Sequence, residues 1–212
     1  MEKILTKQEF KTTPSIIIIE DHPLVRDALI SFFGKTGIWH VEGTASSLDE
    51  AKELLSEKLS DILLLDIQLD DGFGLHIITW LKNNLKQNDI FPVIAVYSAF
   101  DDFVHVSAAL GMGVKVYMCK RRSVNELEIA LLKALNDETF IDDSVQTKLD
   151  TASDIFSLLT KRETQIFTLV GSGLSDKQIA RQLEISVRTV QNIIYCIFDK
   201  TGIKSRLELQ KL

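Results

Sequence analysis

Five polar residues follow runs of apolar residues in an order that could assemble a site for phosphoryl chemistry. They are Glu20, Asp21, Asp66, Ser98 and Lys120. Three carboxylates at one edge of a sheet repel one another unless a cation lies among them, and a set of oxygen ligands suits a hard cation such as Mg²⁺. A lysine ammonium complements phosphate oxygens, and a serine hydroxyl can donate to an added oxygen. Together these groups resemble a site that moves a phosphoryl group onto a carboxylate.

Strand-like and helix-like segments alternate through the part of the chain that carries these residues. The strand-like segments span residues 16–19, 39–45, 62–66, 92–97 and 115–118. Continuous apolar strands separated by helices indicate a parallel sheet that is covered on both faces. In such sheets ligands bind beyond the carboxyl ends of the strands, which is where we expect the five polar residues. We therefore predict an α/β fold with a five-stranded, doubly wound parallel sheet.

Each of the five polar residues also has an ordinary structural interpretation. An acid at the end of a strand is commonly the N-cap of the next helix, and a single residue of this kind is more typical of structure than of function. It is the joint placement of the five after four different strands that favours the functional interpretation.

The two parts of the chain carry different charges. The 212 residues are long enough for one large domain or two smaller ones, and 45% of them are hydrophobic. From Thr151 onward, nine Lys and Arg residues stand against six Asp and Glu residues, a net charge of +3. The whole chain carries −6, which leaves −9 for the first part. This asymmetry indicates two domains with different partners.

The sequence also bears on the setting in which the protein works. No stretch approaches the roughly 20 apolar residues of a membrane span. Residues 1–14 contain no continuous apolar segment of the kind found in secretory signals. Cys119 and Cys196 lie far apart, without the spacing of a metal or redox motif. We therefore expect a reduced, cytoplasmic setting and no membrane partner.

The basic second part has the pattern of short helices joined by tight turns. Thr160 with Glu163, and Ser175 with Gln178, have the spacing of a capping box, with which a helix begins. Ser186 is placed to begin a third, longer helix. A short helix, a tight turn and a longer helix form the outline of a helix-turn-helix, a motif that places its second helix in the major groove of DNA.

The first part resembles the receiver domain of bacterial two-component response regulators. The resemblance is carried, in order, by the segments IIIIEDHPLVR, DILLLDIQLDDGFGL, PVIAVYSA and GVKVYMCK. The second part resembles the LuxR-type helix-turn-helix through the segment LTKRETQIFTLVGSGLSDKQIARQLEISVRTVQNIIYCIFDKTGIKSRLEL. The pairing is similar to the NarL/FixJ class and covers nearly the whole chain.

The resemblance implies a division of the chain into domains. A receiver domain with the flavodoxin-like strand order 2-1-3-4-5 is expected at residues 15–135, after an N-terminal extension at 1–14. A linker at 136–155 would lead to a small all-α, LuxR-type DNA-binding domain at 156–212.

The resemblance also implies a role for each strand-end residue. Asp66 would accept a phosphoryl group from a partner histidine kinase. Glu20, Asp21 and Asp66 would hold Mg²⁺, together with the backbone carbonyl of Gln68.

Three further residues would respond to the phosphoryl group. Ser98 would move toward it, and Lys120 would pair with it. Tyr117 matches the family's aromatic switch, which changes its packing when Ser98 moves. The alternative for Tyr117 is an aromatic side chain packed on the sheet.

The longer helix of the second part has two different faces. Its apolar face should be core and contains Val187, Val190, Ile194, Ile197 and Phe198. Arg188, Asn192 and Tyr195 point the other way, where Arg can read guanine and Asn can read adenine. The resemblance places the base-reading positions at Gln191, Asn192 and Tyr195. Residues expected to contact DNA phosphates are Lys177, Arg181, Arg188, Thr189 and Lys204, and the alternative for each is a solvated helix face.

Two functions are consistent with these residues. The first is a transcription factor that is phosphorylated on Asp66 and binds DNA as a homodimer. The second is a receiver-containing signalling protein whose tail mediates protein interaction or dimerisation. The second arises because family members often carry cations at the positions of Gln191 and Tyr195, and His at that of Ile193. Ile193 and Tyr195 would then belong to an interaction surface.

A third function, that of a metal-dependent hydrolase, would use the same acids but would need a general base, and the sequence places none beside them. We therefore expect no enzyme, and no small-molecule substrate beyond a phosphodonor.

Overall fold

The computed structural model describes residues 13–86 and 89–209, with all their side chains except those of residues 151–153. The N-terminal extension predicted at 1–14 therefore lies almost wholly outside the described residues. The chain forms two compact units. One comprises the described residues up to Phe100 together with Ala108–Asp142, and the other comprises Asp101–Ser107 and the described residues from Asp143 onward.

The first unit is built on a parallel sheet of six strands. The strands in the described residues are β1 (Ser15–Ile19), β2 (His40–Ala45), β3 (Ile62–Leu65), β4 (Gln68–Leu69), β5 (Gly72–Phe73), β6 (Val93–Ser98), β7 (Val116–Cys119) and β8 (Phe140–Ile141). The main sheet has the order β2-β1-β3-β6-β7-β8, and β4 pairs with β5 in a small antiparallel hairpin. The predicted α/β class and the predicted order of the first five main strands are confirmed.

The predicted number of strands was wrong by one. Phe140 and Ile141 form a sixth strand, which pairs in parallel with Val116 and Tyr117 of β7. A strand of two residues is too short to show an alternating pattern, so only its pairing partner reveals it. The residues assigned to a linker, 136–155, thus contain this strand and most of a helix.

The helices explain why the central strands are apolar throughout. The first five are α1 (Pro23–Thr36), α2 (Leu48–Glu57), α3 (His76–Asn84), α4 (Phe103–Gly111) and α5 (Val124–Ala134). Residues 16–19 of β1 and 62–65 of β3 are at most 1% exposed, which requires cover on both faces of the sheet. Each such side chain contributes about 1.5–3 kcal/mol by leaving water. Since β3 is paired on both sides, with β1 and β6, its end is a rigid place for a functional side chain.

The second unit is helical. Its helices are α6 (Asp143–Ser157), α7 (Lys161–Gly171), α8 (Asp176–Gln182), α9 (Val187–Thr201) and α10 (Arg206–Leu209). The predicted capping boxes at Thr160 and Ser175 are both present, and Ser186 caps α9 by accepting a hydrogen bond from the Thr189 amide. None of the described helices combines the length and the hydrophobicity that crossing a membrane requires.

Glu163 joins the start of α7 to the end of α9. Its carboxylate accepts hydrogen bonds at 2.8 Å from Lys200 Nζ and from the amide and hydroxyl of Thr160. The bond from Lys200, followed by those from Thr160, lowers the pKa of Glu163 from 4.5 to about 2. Because the pKa is depressed in the folded state, this stabilisation is fully present above pH 4.5 and is lost as the pH falls toward 2.

We expect Glu163→Gln to lower the stability of the second unit at pH 7, and the difference from wild type to shrink as the pH falls below 4.5. Urea unfolding followed by far-UV circular dichroism measures this. Both tryptophans, Trp39 and Trp80, lie in the first unit, so their fluorescence serves as an internal reference. The control is Glu184→Gln, at an exposed acid of the same unit. A difference that stays constant between pH 7 and pH 3 would contradict the assignment.

Candidate functional site

The predicted strand-end residues meet around an open pocket of about 370 Å³, which Asp21, Asp66 and Lys120 line directly. Ser98 Oγ donates a hydrogen bond to Asp66 Oδ1 at 2.6 Å. Lys120 Nζ donates to Asp66 Oδ2 at 2.6 Å and to Glu20 Oε1 at 2.8 Å. Asp21 and Gln68 line the same pocket. The structure therefore brings together all the residues that the sequence placed at this edge of the sheet.

The pocket holds charged groups that are largely removed from water. Glu20 is 1% exposed, Asp66 is 5% exposed and Ser98 is fully buried. Burial raises the pKa of Glu20, and Lys120 offsets part of that rise. For Lys120 itself, burial opposes the charged form, but hydrogen bonds to Asp66 and Glu20 outweigh it and raise the pKa. Lys120 is thus held as an ammonium between two carboxylates.

The donor groups of the pocket fit a divalent cation. One potential ligand atom from each of Glu20, Asp21, His22 and Asp66 lies within 4.8 Å of the others. Three of the four are carboxylate oxygens, which Mg²⁺ prefers, and the open pocket leaves room for the waters that Mg²⁺ retains. Three carboxylates face one lysine, so a cation would also neutralise the excess negative charge.

Tyr117 lies in β7 beneath the loop that follows Ser98. Its side chain is fully buried, and its hydroxyl donates a hydrogen bond to the carbonyl of Phe100 at 2.8 Å. The ring is thus buried with the core of the sheet, while the hydroxyl holds the β6–α4 loop, and the switch role of Tyr117 stays a prediction. A movement of Ser98 would act on the same loop.

The outer face of α9 carries the predicted DNA-reading residues. Arg188, Gln191, Asn192 and Tyr195 are all exposed, and Tyr195 is 75% exposed. The residues predicted to contact phosphates are exposed as well: Lys177, Arg181, Thr189 and Lys204. Val190, Ile194 and Ile197 are buried and Val187 and Phe198 pack on them, as the helical spacing predicted.

Two features of this face were not expected. Asp176 lies beside it, 2.5 Å from Arg206 Nη1, and accepts a weak hydrogen bond from Gln191 Nε2 at 3.4 Å. Ile193, considered above as part of an interaction surface, is half-buried and packs against the core of the second unit. Tyr195 is therefore the large apolar side chain of α9 that is exposed.

Comparison with known proteins assigns the family. Residues 16–132, more than half of the chain, match the family described as the response regulator receiver domain. The chain belongs to the response regulators. Residues 157–212 of this response regulator match the family of bacterial regulatory proteins, luxR family. The protein is therefore a transcription regulator that joins a receiver domain to a LuxR-type DNA-binding domain, and its resemblance to the NarL/FixJ class is confirmed.

Two relatives of the response regulator are oxygen regulatory proteins NreC of Staphylococcus aureus, from strains bovine RF122 / ET3-1 and MRSA252. Each is 32% identical over 208 residues, which covers 92% of this chain and 94% of the relative.

Two solved structures are similar in fold. The RcsB–DNA complex has a TM-score of 0.69 at 20% identity, covering 94% of this chain and 96% of that one. RcsB from Salmonella enterica serovar Typhimurium, bound to promoter P1flhDC in the presence of phosphomimetic BeF3-, has a TM-score of 0.70 at 20% identity, covering 94% and 97%. At this identity the likeness shows the fold.

Two residues that support the pocket of the response regulator were missed by the sequence reasoning. Arg26 Nη1 donates hydrogen bonds to the backbone carbonyls of Glu20 at 2.7 Å and Asp21 at 3.1 Å, and so fixes the acidic pair. Gly74 lies against the backbone of Asp66, where a Cβ would be 2.0 Å from the Asp66 carbonyl oxygen. In the sequence, these residues appear as an arginine one turn into α1 and as the second glycine of DGFGL. Their roles cannot be recognised before the fold is known.

Asp71 closes the hairpin that follows the pocket. Its two carboxylate oxygens accept hydrogen bonds from the Leu48 amide, at 2.9 and 2.8 Å, and one accepts from the Asp49 amide at 3.4 Å. The carboxylate thus caps the N-terminus of α2 from a distant part of the chain, where its charge also suits the helix dipole.

Proposed function

We propose that this response regulator is switched by phosphorylation of Asp66 and then binds DNA as a homodimer. The phosphodonor would be a histidine kinase, and the protein would act in the cytoplasm, where bacterial DNA is read. The observation that carries the proposal is that both Asp66 oxygens face donors that can move to a phosphoryl group. Ser98 Oγ and Lys120 Nζ each lie 2.6 Å from one of them.

The reaction needs few groups from the protein. An Asp66 oxygen attacks phosphorus and forms a P–O bond, while the P–N bond to the kinase histidine breaks and the imidazole keeps the electron pair. Mg²⁺, held by Glu20, Asp21, Asp66 and the Gln68 carbonyl, would neutralise charge on the transferring group.

Ser98 and Lys120 would then exchange one hydrogen-bond acceptor for another. Each now donates to Asp66, and each would donate to a phosphoryl oxygen after transfer. Such charge-assisted hydrogen bonds are stronger than neutral ones, so they can pull the backbone that carries Ser98. Because Tyr117 holds the same loop through the Phe100 carbonyl, the change at Asp66 would reach the surface beyond β6.

The first experiment records intact mass and elution volume after incubation with Mg²⁺ and acetyl phosphate. We expect a phosphoryl adduct and a shift to dimer in the wild type, and neither in Asp66→Asn. The matched control is Asp70→Asn, the same change at another acid that lines the pocket. An adduct in Asp66→Asn, or none in the wild type with unchanged elution, would overturn the proposal.

The proposed DNA interface is the exposed face of α9 with the cations around it. Arg188, Gln191, Asn192 and Tyr195 would face the major groove, and Lys177, Arg181, Thr189 and Lys204 would approach phosphates. Support comes from the exposure of all eight side chains and from the LuxR-family match.

We expect the logarithm of the affinity of the phosphorylated protein for random-sequence duplex DNA to fall with the logarithm of salt concentration. Six phosphate contacts from Lys177, Arg181 and Lys204 of two subunits would give a slope of about −5, and Lys177→Ala should reduce its magnitude by about 2. Fluorescence anisotropy at increasing KCl concentrations measures the slope. The control is Lys35→Ala, the same change at an exposed lysine of α1. A flat salt dependence would instead favour a protein-binding tail.

A further inference from the structure

An ion pair between half-buried Arg122 and buried Asp142 lies outside the pocket and next to the loop that carries Lys120. Arg122 Nε donates to Asp142 Oδ2 at 2.9 Å, and Arg122 Nη2 donates to Asp142 Oδ1 at 3.4 Å. The Asp142 side chain is fully buried. A carboxylate removed from water is costly unless it is paired and hydrogen-bonded, and Arg122 supplies both a charge and two hydrogen bonds to Asp142.

Asp142 is anchored firmly enough to hold its partner. It follows β8 directly, and its amide donates to the carbonyl of Tyr117 at 2.9 Å, which extends the pairing of β7 and β8 by one residue. The carboxylate is thus fixed by the sheet on one side and by the guanidinium on the other. The planar fork of arginine matches two carboxylate oxygens, so it fixes orientation as well as distance.

Backbone and side-chain hydrogen bonds also restrain the loop that contains Lys120 and Arg122. The Lys120 amide donates to the Ser98 carbonyl at 2.8 Å, and the Arg122 amide donates to the Cys119 carbonyl at 2.9 Å. On the other side, the Tyr97 hydroxyl donates to the carbonyl of Arg122 at 3.0 Å. Residues 119–122 therefore form a turn that is fastened to β6 by Tyr97 and to the end of β8 by Arg122.

We propose that Arg122 and Asp142 are positioning residues for Lys120 in the phosphoryl transfer to Asp66. This inference rests on the proposed function. Lys120 Nζ has to reach Asp66 and Glu20 before the transfer and the phosphoryl oxygens after it. Its backbone must therefore be held still while its side chain changes acceptors. The ion pair supplies that support from outside the pocket. Because Asp142 directly follows β8, the position of Lys120 then depends on the pairing of β8 with β7.

The test compares Asp142→Asn with a matched control, Asp137→Asn. Asp137 forms an exposed ion pair with Lys115 at 2.8 Å, near the opposite end of β7. The control therefore makes the same chemical change close to the same strand. Arg122→Lys is the second variant, since it keeps the charge but loses the bidentate contact with Asp142. It provides the test if Asp142→Asn does not fold. Each is measured as the full chain by amide hydrogen exchange and by the rate of phosphorylation with acetyl phosphate.

Asp142→Asn should accelerate exchange of the Lys120 and Arg122 amides and slow phosphorylation by about tenfold, less than the roughly 100-fold that a misplacement of about 1 Å can cost. The Mg²⁺ concentration for half-maximal rate should stay unchanged, because Glu20, Asp21 and Asp66 follow β1 and β3, which the substitution does not touch. Arg122→Lys should show a smaller effect of the same kind, and Asp137→Asn none.

Two results would overturn the inference. One is exchange at Lys120 and Arg122 that rises no more in Asp142→Asn than in the control, and the other is faster exchange with an unchanged phosphorylation rate. If the wild type itself gains no phosphoryl group, the proposed function fails. Amide exchange then decides by itself whether the pair positions the loop.

Discussion

Gly74→Ala should unfold the receiver unit or lower its free energy of unfolding by about 4 kcal/mol. A Cβ at this position would lie 2.0 Å from the carbonyl oxygen of Asp66 and 3.2 Å from that of Ile67. Both are backbone atoms, so rotation of a side chain cannot relieve the clash. The Gly74 amide also donates to the Ile67 carbonyl at 2.5 Å, so the two segments cannot separate without losing that bond. Any relaxation would displace Asp66 itself.

Urea unfolding followed by the fluorescence of the two tryptophans measures this effect. The control is Gly34→Ala, within α1, where a Cβ would meet no atom within 4 Å. Alanine is the better helix former, so the control should gain about 0.5–1 kcal/mol. The same substitution thus has opposite signs at two glycines of one unit. A Gly74→Ala protein with a wild-type midpoint would show that the contact with Asp66 can relax.

Lys120→Met is the second substitution with a large expected effect. It leaves the buried carboxylates of Glu20 and Asp66 without the ammonium between them. Removing one partner of a buried ion pair costs about 3 kcal/mol, and we expect a loss of this order in EDTA. Added Mg²⁺ should restore part of the stability, because it binds the folded site and neutralises the same acids. Phosphorylation by acetyl phosphate should fall by about 100-fold, as after removal of one donor from a charged transition state.

Thermal unfolding in EDTA and in Mg²⁺, together with phosphorylation rates, checks both parts. Lys115→Met is the control, since Lys115 forms an exposed ion pair, and such pairs contribute less than about 1 kcal/mol. Equal stability of Lys120→Met and wild type in EDTA would mean that the two carboxylates do not depend on Lys120.

The parts of this molecule that could be predicted from the sequence are those set by neighbours in the chain. The apolar strands β1 and β3, with acids directly after them, show both their burial and the edge at which their polar residues lie. The boxes at Thr160 and Ser175 join residues three apart, so they are visible in the sequence. The spacing of α9 separates its core residues from its exposed ones for the same reason.

The parts that could not be predicted join segments far apart in the chain. Asp71 caps α2 across 23 residues, and Arg122 meets Asp142 across 20. Neither pair has a spacing that a helix or strand would repeat. Gly74 matters only because the chain returns to the backbone of Asp66, and β8 exists only because β7 lies beside it. These features depend on packing between elements, which a local pattern does not encode.

The position of β8 affects how the receiver unit would behave if it were cut from the chain. β8 covers the outer edge of β7, where Val116 and Tyr117 would otherwise present unpaired backbone groups. Open edges of apolar strands favour aggregation, whereas a two-residue edge strand offers little for another chain to pair with. A fragment ending at residue 135, where the sequence pattern of the receiver stops, would lose this cover and should aggregate. A fragment ending after Asp142 keeps both the strand and the ion pair of Arg122 with Asp142, and should remain monodisperse.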